Sequence, residues 1–165
     1  MNIFKNSNSE NKGIQLTKDF VDSLPSKSIT ITLKSKEWRE LCEYVLWGIE
    51  YMKEEVEEGC FAARAILLMS RVNMCNRLRH QILESQTKSQ HKCSITLPLH
   101  EWSTLRDCIW QGTSWQEEHS PKMQTGKSVG YRYHNLIMAR ECEAHQSMTF
   151  EEKTAWMYNI AFCGF

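Results

Sequence analysis

The chain has 165 residues, of which 41% are hydrophobic and 24% are charged, and its 20 basic residues balance 20 acidic ones. This is the composition of an ordinary globular protein, and the zero net charge excludes a chain that binds polyanions through its overall charge. No apolar run reaches the roughly 20 residues of a membrane span, and the N-terminus lacks the apolar core of a secretory signal. We therefore expect a cytoplasmic protein, with no membrane contact, that keeps its seven cysteines reduced.

The first predicted elements are a strand and a long helix. They follow a segment, 1–27, that we expect to be poorly ordered apart from a short turn at 17–24. Residues 29–33 alternate apolar and threonine side chains, which is typical of a half-buried strand. Ser35 is the predicted N-cap of the helix, which ends near Glu57 with Gly59 at its C-terminus. The helix is predicted from apolar residues at spacings of three and four: Trp38, Leu41, Cys42, Val45, Ile49, Met52 and Val56.

A second helix is predicted to begin at Phe61. Residues 61–69 are apolar except for Arg64, so we expect a central helix that is well covered by its neighbours. The helix continues through Leu78 and Ile82 and leads into a polar linker at 85–92. This helix is rich in basic side chains, and the helix before it is rich in glutamate. We expect some of these side chains to form ion pairs between the two helices.

The second half of the chain predicts the same order of elements. Residues 93–97 form a strand that ends at Pro98, because proline cannot donate a backbone hydrogen bond. A helix then carries Trp102, Leu105, Ile109 and Gly112 and ends before Pro121, and another helix spans 131–146. A capping-box pattern at 149–152 predicts a last helix over 149–162.

The two halves are also similar in sequence. A shift of 64 positions, which places Ile31 on Ile95, gives eight identities over residues 31–54. The identical positions are Ile31, Thr32, Leu33, Glu37, Trp38, Leu41, Gly48 and Glu54. A shift of 69 then aligns Leu67–Arg71 with Leu136–Arg140, and the extra residues fall in the loop that contains Pro121.

These patterns predict a mainly α fold with a small β element, built from two strand-helix-helix units. We expect one domain over 28–165, made of repeats 28–84 and 93–146 with the C-terminal helix 149–162. A lone strand leaves its edges unpaired, so the two strands should pair as a ribbon. The helices should then pack as a bundle about a pseudo-two-fold axis. Trp38 and Trp102 are the predicted core anchors, and Gly48 and Gly112 the predicted site of a close helix crossing.

Catalytic and metal-binding motifs are missing from the sequence. There is no glycine-rich phosphate loop, nucleophile elbow, His-Glu-x-x-His motif or Cys-x-x-Cys pair. We therefore assign no catalytic residue, no metal and no cofactor. The tightest Cys/His pairs are His91 with Cys93 and Cys142 with His145. Metal binding by either pair stays an alternative that the sequence does not decide.

The absence of such motifs favours a non-enzymatic protein-binding module, an adaptor or inhibitor of a larger protein or protein–nucleic acid complex. The expected partner is another protein, and the oligomeric state is open. The candidate partner-binding residues are three tryptophans that lie outside the apolar stripes of the predicted helices and four arginines of the second helix. They are Trp47, Trp110, Trp115, Arg64, Arg71, Arg77 and Arg79.

A second hypothesis comes from the start of each unit. The run Ile31-Thr32-Leu33 followed by Lys34-Ser35-Lys36-Glu37-Trp38 resembles the opening of ribbon-helix-helix proteins. The resemblance covers some ten residues per unit, and the first helix is about twice the length usual in that family. It implies a DNA-binding regulator whose paired strands enter the major groove. The DNA-contacting side chains would be Thr30, Thr32, Lys34, Ser94 and Thr96.

Overall fold

The computed structural model describes residues 19–86, 91–119 and 127–162. Within these ranges the protein is mainly helical and has one two-stranded antiparallel sheet. Residues 19–23 are helical, while residues 1–18 of the segment expected to be poorly ordered lie outside the described residues, as does the loop around Pro121. No helix in the described ranges is both long and apolar enough to cross a membrane.

The sheet is a ribbon of two strands, β1 (Ser28–Lys34) and β2 (Lys92–Pro98), in which Ile31 lies opposite Ile95. This confirms the predicted pairing of the two strands, and β2 ends at Pro98 as expected. Alternate side chains point into the core, namely Ile31, Leu33, Ile95 and Leu97. The side chains between them face outward, so the ribbon has one apolar face and one polar face.

Five helices have described bounds: α1 (Ser35–Glu57), α2 (Ala62–Gln86), α3 (Leu99–His119), α4 (Lys127–Ser147) and α5 (Phe150–Phe162). The predicted N-cap at Ser35 is wrong by one residue. The N-cap is Lys34, whose backbone N–H donates to Glu37 Oε2 over 2.9 Å. Beyond α1, Gly59 has φ +95°, a left-handed conformation that lets the chain turn back into α2.

Helices α1 and α3 run side by side in the same direction away from the ribbon. Near the ribbon, the rings of Trp38 and Trp102 stack with centroids 6.2 Å apart. Their indole N–H groups donate to the ribbon carbonyls of Cys93 (3.0 Å) and Ile29 (3.1 Å), respectively. Both rings are fully buried, which confirms them as core anchors that fix the ribbon to the helices.

The two helices approach most closely at Gly48 and Gly112. A Cβ atom at Gly48 would lie 2.7 Å from Cys108 Sγ, and one at Gly112 would lie 2.7 Å from the Gly48 backbone nitrogen. Cβ atoms essentially never come within 3.0 Å of another heavy atom. The predicted close crossing is therefore confirmed, since only glycine fits at either position.

Helix α2 is peripheral, and the expectation of a well-covered central helix is wrong. One side of it packs on α1 through Leu68, Val72, Cys75, Leu78 and Ile82. The opposite side of its first turns is exposed, including Ile66 and Met69. A run that is apolar at nearly every position has no period, so the sequence did not distinguish a covered helix from one with an uncovered apolar side.

Helices α4 and α5 pack on α3 from the other side. The predicted capping box at the start of α5 is present. The backbone N–H of Thr149 donates to Glu152 Oε2 (2.9 Å), and that of Glu152 donates to Thr149 Oγ1 (3.2 Å). These bonds satisfy two amide groups that a helix start leaves unpaired.

Candidate binding surfaces

The three candidate tryptophans lie on α1 and α3 in different environments. Trp47 packs against the core and contacts Tyr44 edge-on, with ring centroids 4.9 Å apart. Trp110 is exposed beside Tyr131 (5.0 Å) and His134 (5.1 Å).

Trp115 is half-buried at the end of α3. It stacks on His119, and its indole N–H donates to Glu54 Oε2 over 2.9 Å. Of the three tryptophans, Trp110 therefore offers the most surface to a partner.

Three of the four candidate arginines make polar contacts within the chain. Arg64 pairs with Glu55 of α1, and Arg77 donates to Glu101 of α3 over 2.6 Å. Arg79 donates to the carbonyl of Cys42 over 3.2 Å. The expected pairing between the acidic and basic helices is thus present for Arg64.

Arg71 differs from the other three arginines. Its Nε atom is buried and has no hydrogen-bond partner among the described residues. The residue as a whole is half-buried, so Arg71 is less exposed than Arg64 or Arg77.

The outer face of the ribbon carries a ladder of hydroxyl groups. Thr30 Oγ1 lies 2.7 Å from Thr96 Oγ1, and Thr32 Oγ1 lies 2.7 Å from Ser94 Oγ. Each hydrogen bond uses one proton, so each pair keeps one O–H donor and free lone pairs that point to solvent. The next exposed pair along the ribbon is Lys34 opposite Lys92, which places two like charges side by side.

Exposed apolar side chains lie together at the start of α2, on a surface that we call the α2 face. It consists of Phe61, Ala62, Ala63, Ile66 and Met69. Phe61 is 88% exposed, Ile66 57% and Met69 41%. The arginine-based prediction missed this face, although the spacing of 62, 66 and 69 places these side chains on one side of a helix.

A buried polar network joins α3, α4 and α5. Glu141 of α4 is buried and accepts hydrogen bonds from Ser103 and Arg106 of α3. Trp156 of α5 donates its indole N–H to Ser103 Oγ over 3.1 Å. Burial raises the pKa of Glu141, and the bonds from Ser103 and Arg106 offset only part of that shift.

This network was absent from the sequence prediction, but a signal for it exists. Glu141 follows Tyr133 and Ile137 at helical spacing on the buried side of α4. Its bonds hold helices together, and the Ser103 hydroxyl is too deeply buried to meet a substrate. We therefore assign this network a structural role.

The cysteines within the described ranges are free thiols, and Cys42, Cys75 and Cys108 are buried. Burial raises the pKa of the Cys42 thiol to about 12, so this group stays protonated at neutral pH. The described residues contain no group of three or more His, Cys, Asp and Glu side chains placed to hold a metal ion. The pairs His91 with Cys93 and Cys142 with His145 therefore have no third ligand there.

Comparisons with known proteins gave no relative. No family model matches the chain. No curated protein and no solved structure is detectably similar to it.

Proposed function

We propose that this chain is a non-enzymatic protein-binding module, an adaptor or inhibitor of a larger protein, that works in the cytoplasm. The α2 face is the observation that carries this proposal. Its apolar side chains lie close together in the sequence at the start of one helix and are exposed on the described chain, and exposed apolar patches mark sites of association. The free thiols are compatible with a reducing compartment.

The exposed side chains of the α2 face would gain free energy if a partner buried them. A large apolar side chain gains about 1.5–3 kcal/mol when it is fully removed from water. In the isolated chain Phe61 forgoes most of that gain, and Ile66 and Met69 each forgo roughly half of it. A partner with an apolar groove or helix would recover it, and the neighbouring Arg64–Glu55 ion pair would form part of a polar rim.

Partner capture with matched variants tests this proposal. The immobilised full chain is exposed to a native lysate of its source cells, as wild type, Met69→Glu and Met138→Glu. Met138 is the control because it is also 41% exposed and lies on a different helix, α4. We expect a stoichiometric partner with wild type and Met138→Glu, and its loss with Met69→Glu. Undiminished capture by Met69→Glu would show that the α2 face is not the binding surface.

We propose duplex DNA binding through the ribbon as a second candidate function. Its supporting observation is the outward face of the ribbon, where hydroxyl groups lead to the Lys34–Lys92 pair. A two-stranded ribbon fits the major groove, hydroxyls bond to bases and phosphates, and lysines neutralise phosphates. The zero net charge of the chain favours protein binding instead.

Salt-dependent binding to duplex DNA tests this candidate. Wild type, Lys34→Glu and the control Lys153→Glu are compared, since both lysines are exposed and Lys153 is on α5. Ribbon binding predicts a loss of affinity with Lys34→Glu alone. It also predicts a salt dependence that becomes less steep by about 0.9 for each phosphate contact removed. Equal affinities for the two variants, or no binding at low salt, would exclude the ribbon as a DNA-binding element.

We further propose that the two halves arose by duplication and are related by a pseudo-two-fold axis that passes through the ribbon. The contacts in its favour join residues 64 positions apart, namely Ile31 with Ile95, Trp38 with Trp102, and Gly48 with Gly112. On this view the shared residues are packing residues. The α2 face is mainly a feature of the first half, because the counterpart of Ile66 in the second half is Asn135.

A further inference from the structure

The exposed side chains of α2 form one straight stripe. Ala62, Ile66, Met69 and Asn73 are exposed and follow one another at spacings of 4, 3 and 4 residues. Alternating spacings of 3 and 4 residues keep a row of side chains facing one neighbouring helix, as in coiled coils. The surface therefore fits a helix as its partner, packed along α2.

The charges at the two ends of the stripe define the direction of that helix. Before the apolar part, at the end of α1 and in the turn after it, lie the exposed Glu57 and Glu58. Beyond it lie the exposed Arg77 and His80. An antiparallel copy of the same stripe places acidic side chains opposite basic ones at both ends, whereas a parallel copy places like charges together.

One register pairs the exposed side chains of the stripe. When Ile66 faces Met69 of the other copy, Ala62 faces Asn73, because each pair of numbers sums to 135. In this register the turn that contains Glu58 lies toward the Arg77 end of the other helix. The small Ala62 side chain allows close approach. Arg77 retains its bond to Glu101 and still has an exposed side chain to offer.

We propose that a second copy of this chain binds the α2 face when the larger protein is absent, with the two α2 helices antiparallel. This inference rests on the proposed role of the α2 face in protein binding and adds self-association at the same surface. The contact is isologous, so each of its pairings occurs twice. The face is small beside the roughly 1,200–2,000 Å² of a standard stable interface, so association is reversible and depends on concentration.

Sedimentation velocity in reducing buffer, over about a hundredfold range of protein concentration, tests the self-association. We expect the weight-average mass to rise toward that of a dimer for wild type and Met138→Glu, and to stay at one chain for Met69→Glu. Circular dichroism and thermal melting confirm that each variant is folded. Dimerisation of Met69→Glu equal to wild type would overturn the proposal.

Disulfide trapping tests the antiparallel order. In a background with Cys60→Ser, Cys142→Ser and Cys163→Ser, chains with Ala62→Cys and chains with Asn73→Cys are oxidised alone and mixed. Antiparallel packing predicts a disulfide only in the mixture, where it links position 62 of one chain to position 73 of the other. Two copies of position 62 lie about 16 Å apart along the helix in this arrangement, which is too far for a disulfide.

The outcomes separate this inference from the proposed function. A product from the Ala62→Cys chain alone would indicate parallel packing and overturn the antiparallel order. A wild-type chain that stays monomeric at every concentration would overturn self-association. If the wild-type chain is monomeric but captures another protein from lysate, and Met69→Glu does not capture that protein, the α2 face is still supported as a protein-binding surface.

Discussion

Replacing Gly48 with alanine tests the contact on which the helical core depends. The new Cβ atom would lie 2.7 Å from Cys108 Sγ and closer still to the Cys108 carbonyl oxygen. An ordinary contact begins at 3.4 Å and the Cβ atom would lie 2.8 Å from the Cys108 carbonyl carbon, so α1 and α3 must separate by at least 0.6 Å, the difference between those two distances. Because the obstructing atoms include backbone, no rotamer change relieves the clash.

The size of the effect follows from two opposing contributions. Forcing an extra carbon into a packed core costs about 3 kcal/mol when backbone atoms must move. Alanine regains about 1 kcal/mol over glycine through its helix propensity. We expect a net loss of about 2 kcal/mol, which lowers the melting temperature of a domain of this size by about 4–8 °C.

Thermal and denaturant unfolding of Gly48→Ala and Gly59→Ala measures the loss. Gly59 has open space around it but φ +95°, so Gly59→Ala should cost about 1–2 kcal/mol through backbone strain alone. Substitution by asparagine distinguishes the two causes of destabilisation. Gly59→Asn should recover part of the stability because asparagine tolerates the left-handed region, whereas Gly48→Asn should be worse than Gly48→Ala. A Gly48→Ala variant as stable as wild type would refute the close crossing.

Three further predictions concern the ribbon, the buried carboxylate and the last helix. Trp38→Phe and Trp102→Phe each remove one indole hydrogen bond to the ribbon. Each should lower the free energy of unfolding, measured by chemical denaturation, by about 1–3 kcal/mol. Unchanged stability would mean that the bonds contribute nothing. The pKa of Glu141 is raised above its ordinary value of 4.5, so the folded protein holds more protons and its stability falls as pH rises from 4.5 through the folded pKa. Glu141→Gln should lack this decline in unfolding experiments between about pH 4 and 7, and equal slopes would contradict the assignment. Thr149→Ala should cost about 1 kcal/mol and first affect α5, with hydrogen exchange at the start of that helix as the readout.

Local patterns in the chain predicted most of the elements. The alternation of apolar side chains with threonine or serine predicted both strands. Pro98 predicted the end of β2, and the capping box at Thr149 predicted the start of α5. These succeed because each signal acts within a few residues: side-chain alternation, a missing N–H and a capped amide. The strand pairing also followed, because an isolated strand leaves its backbone groups unsatisfied.

The candidate binding residues were harder to predict. The arginines of α2 stood out by charge, yet three of them contact atoms of the same chain. Whether a charged side chain is free depends on which carboxylate the fold brings near it, and the partners of Arg64 and Arg77 belong to other helices. Glu141 shows the reverse case, in which a residue that reads as a surface charge is buried by α3 and α5.

The sequence by itself determined the strands, the helices, the core tryptophans and the positions where only glycine fits. These depend on spacing and side-chain shape, which are local properties of the chain. Only the tertiary structure decided which side of α2 is covered. Residues 61–69 are apolar almost all round, so every side of that helix was equally suited to the core. The packing of α1 on one side buried Leu68 and Val72 and left Phe61, Ile66 and Met69 to form the α2 face.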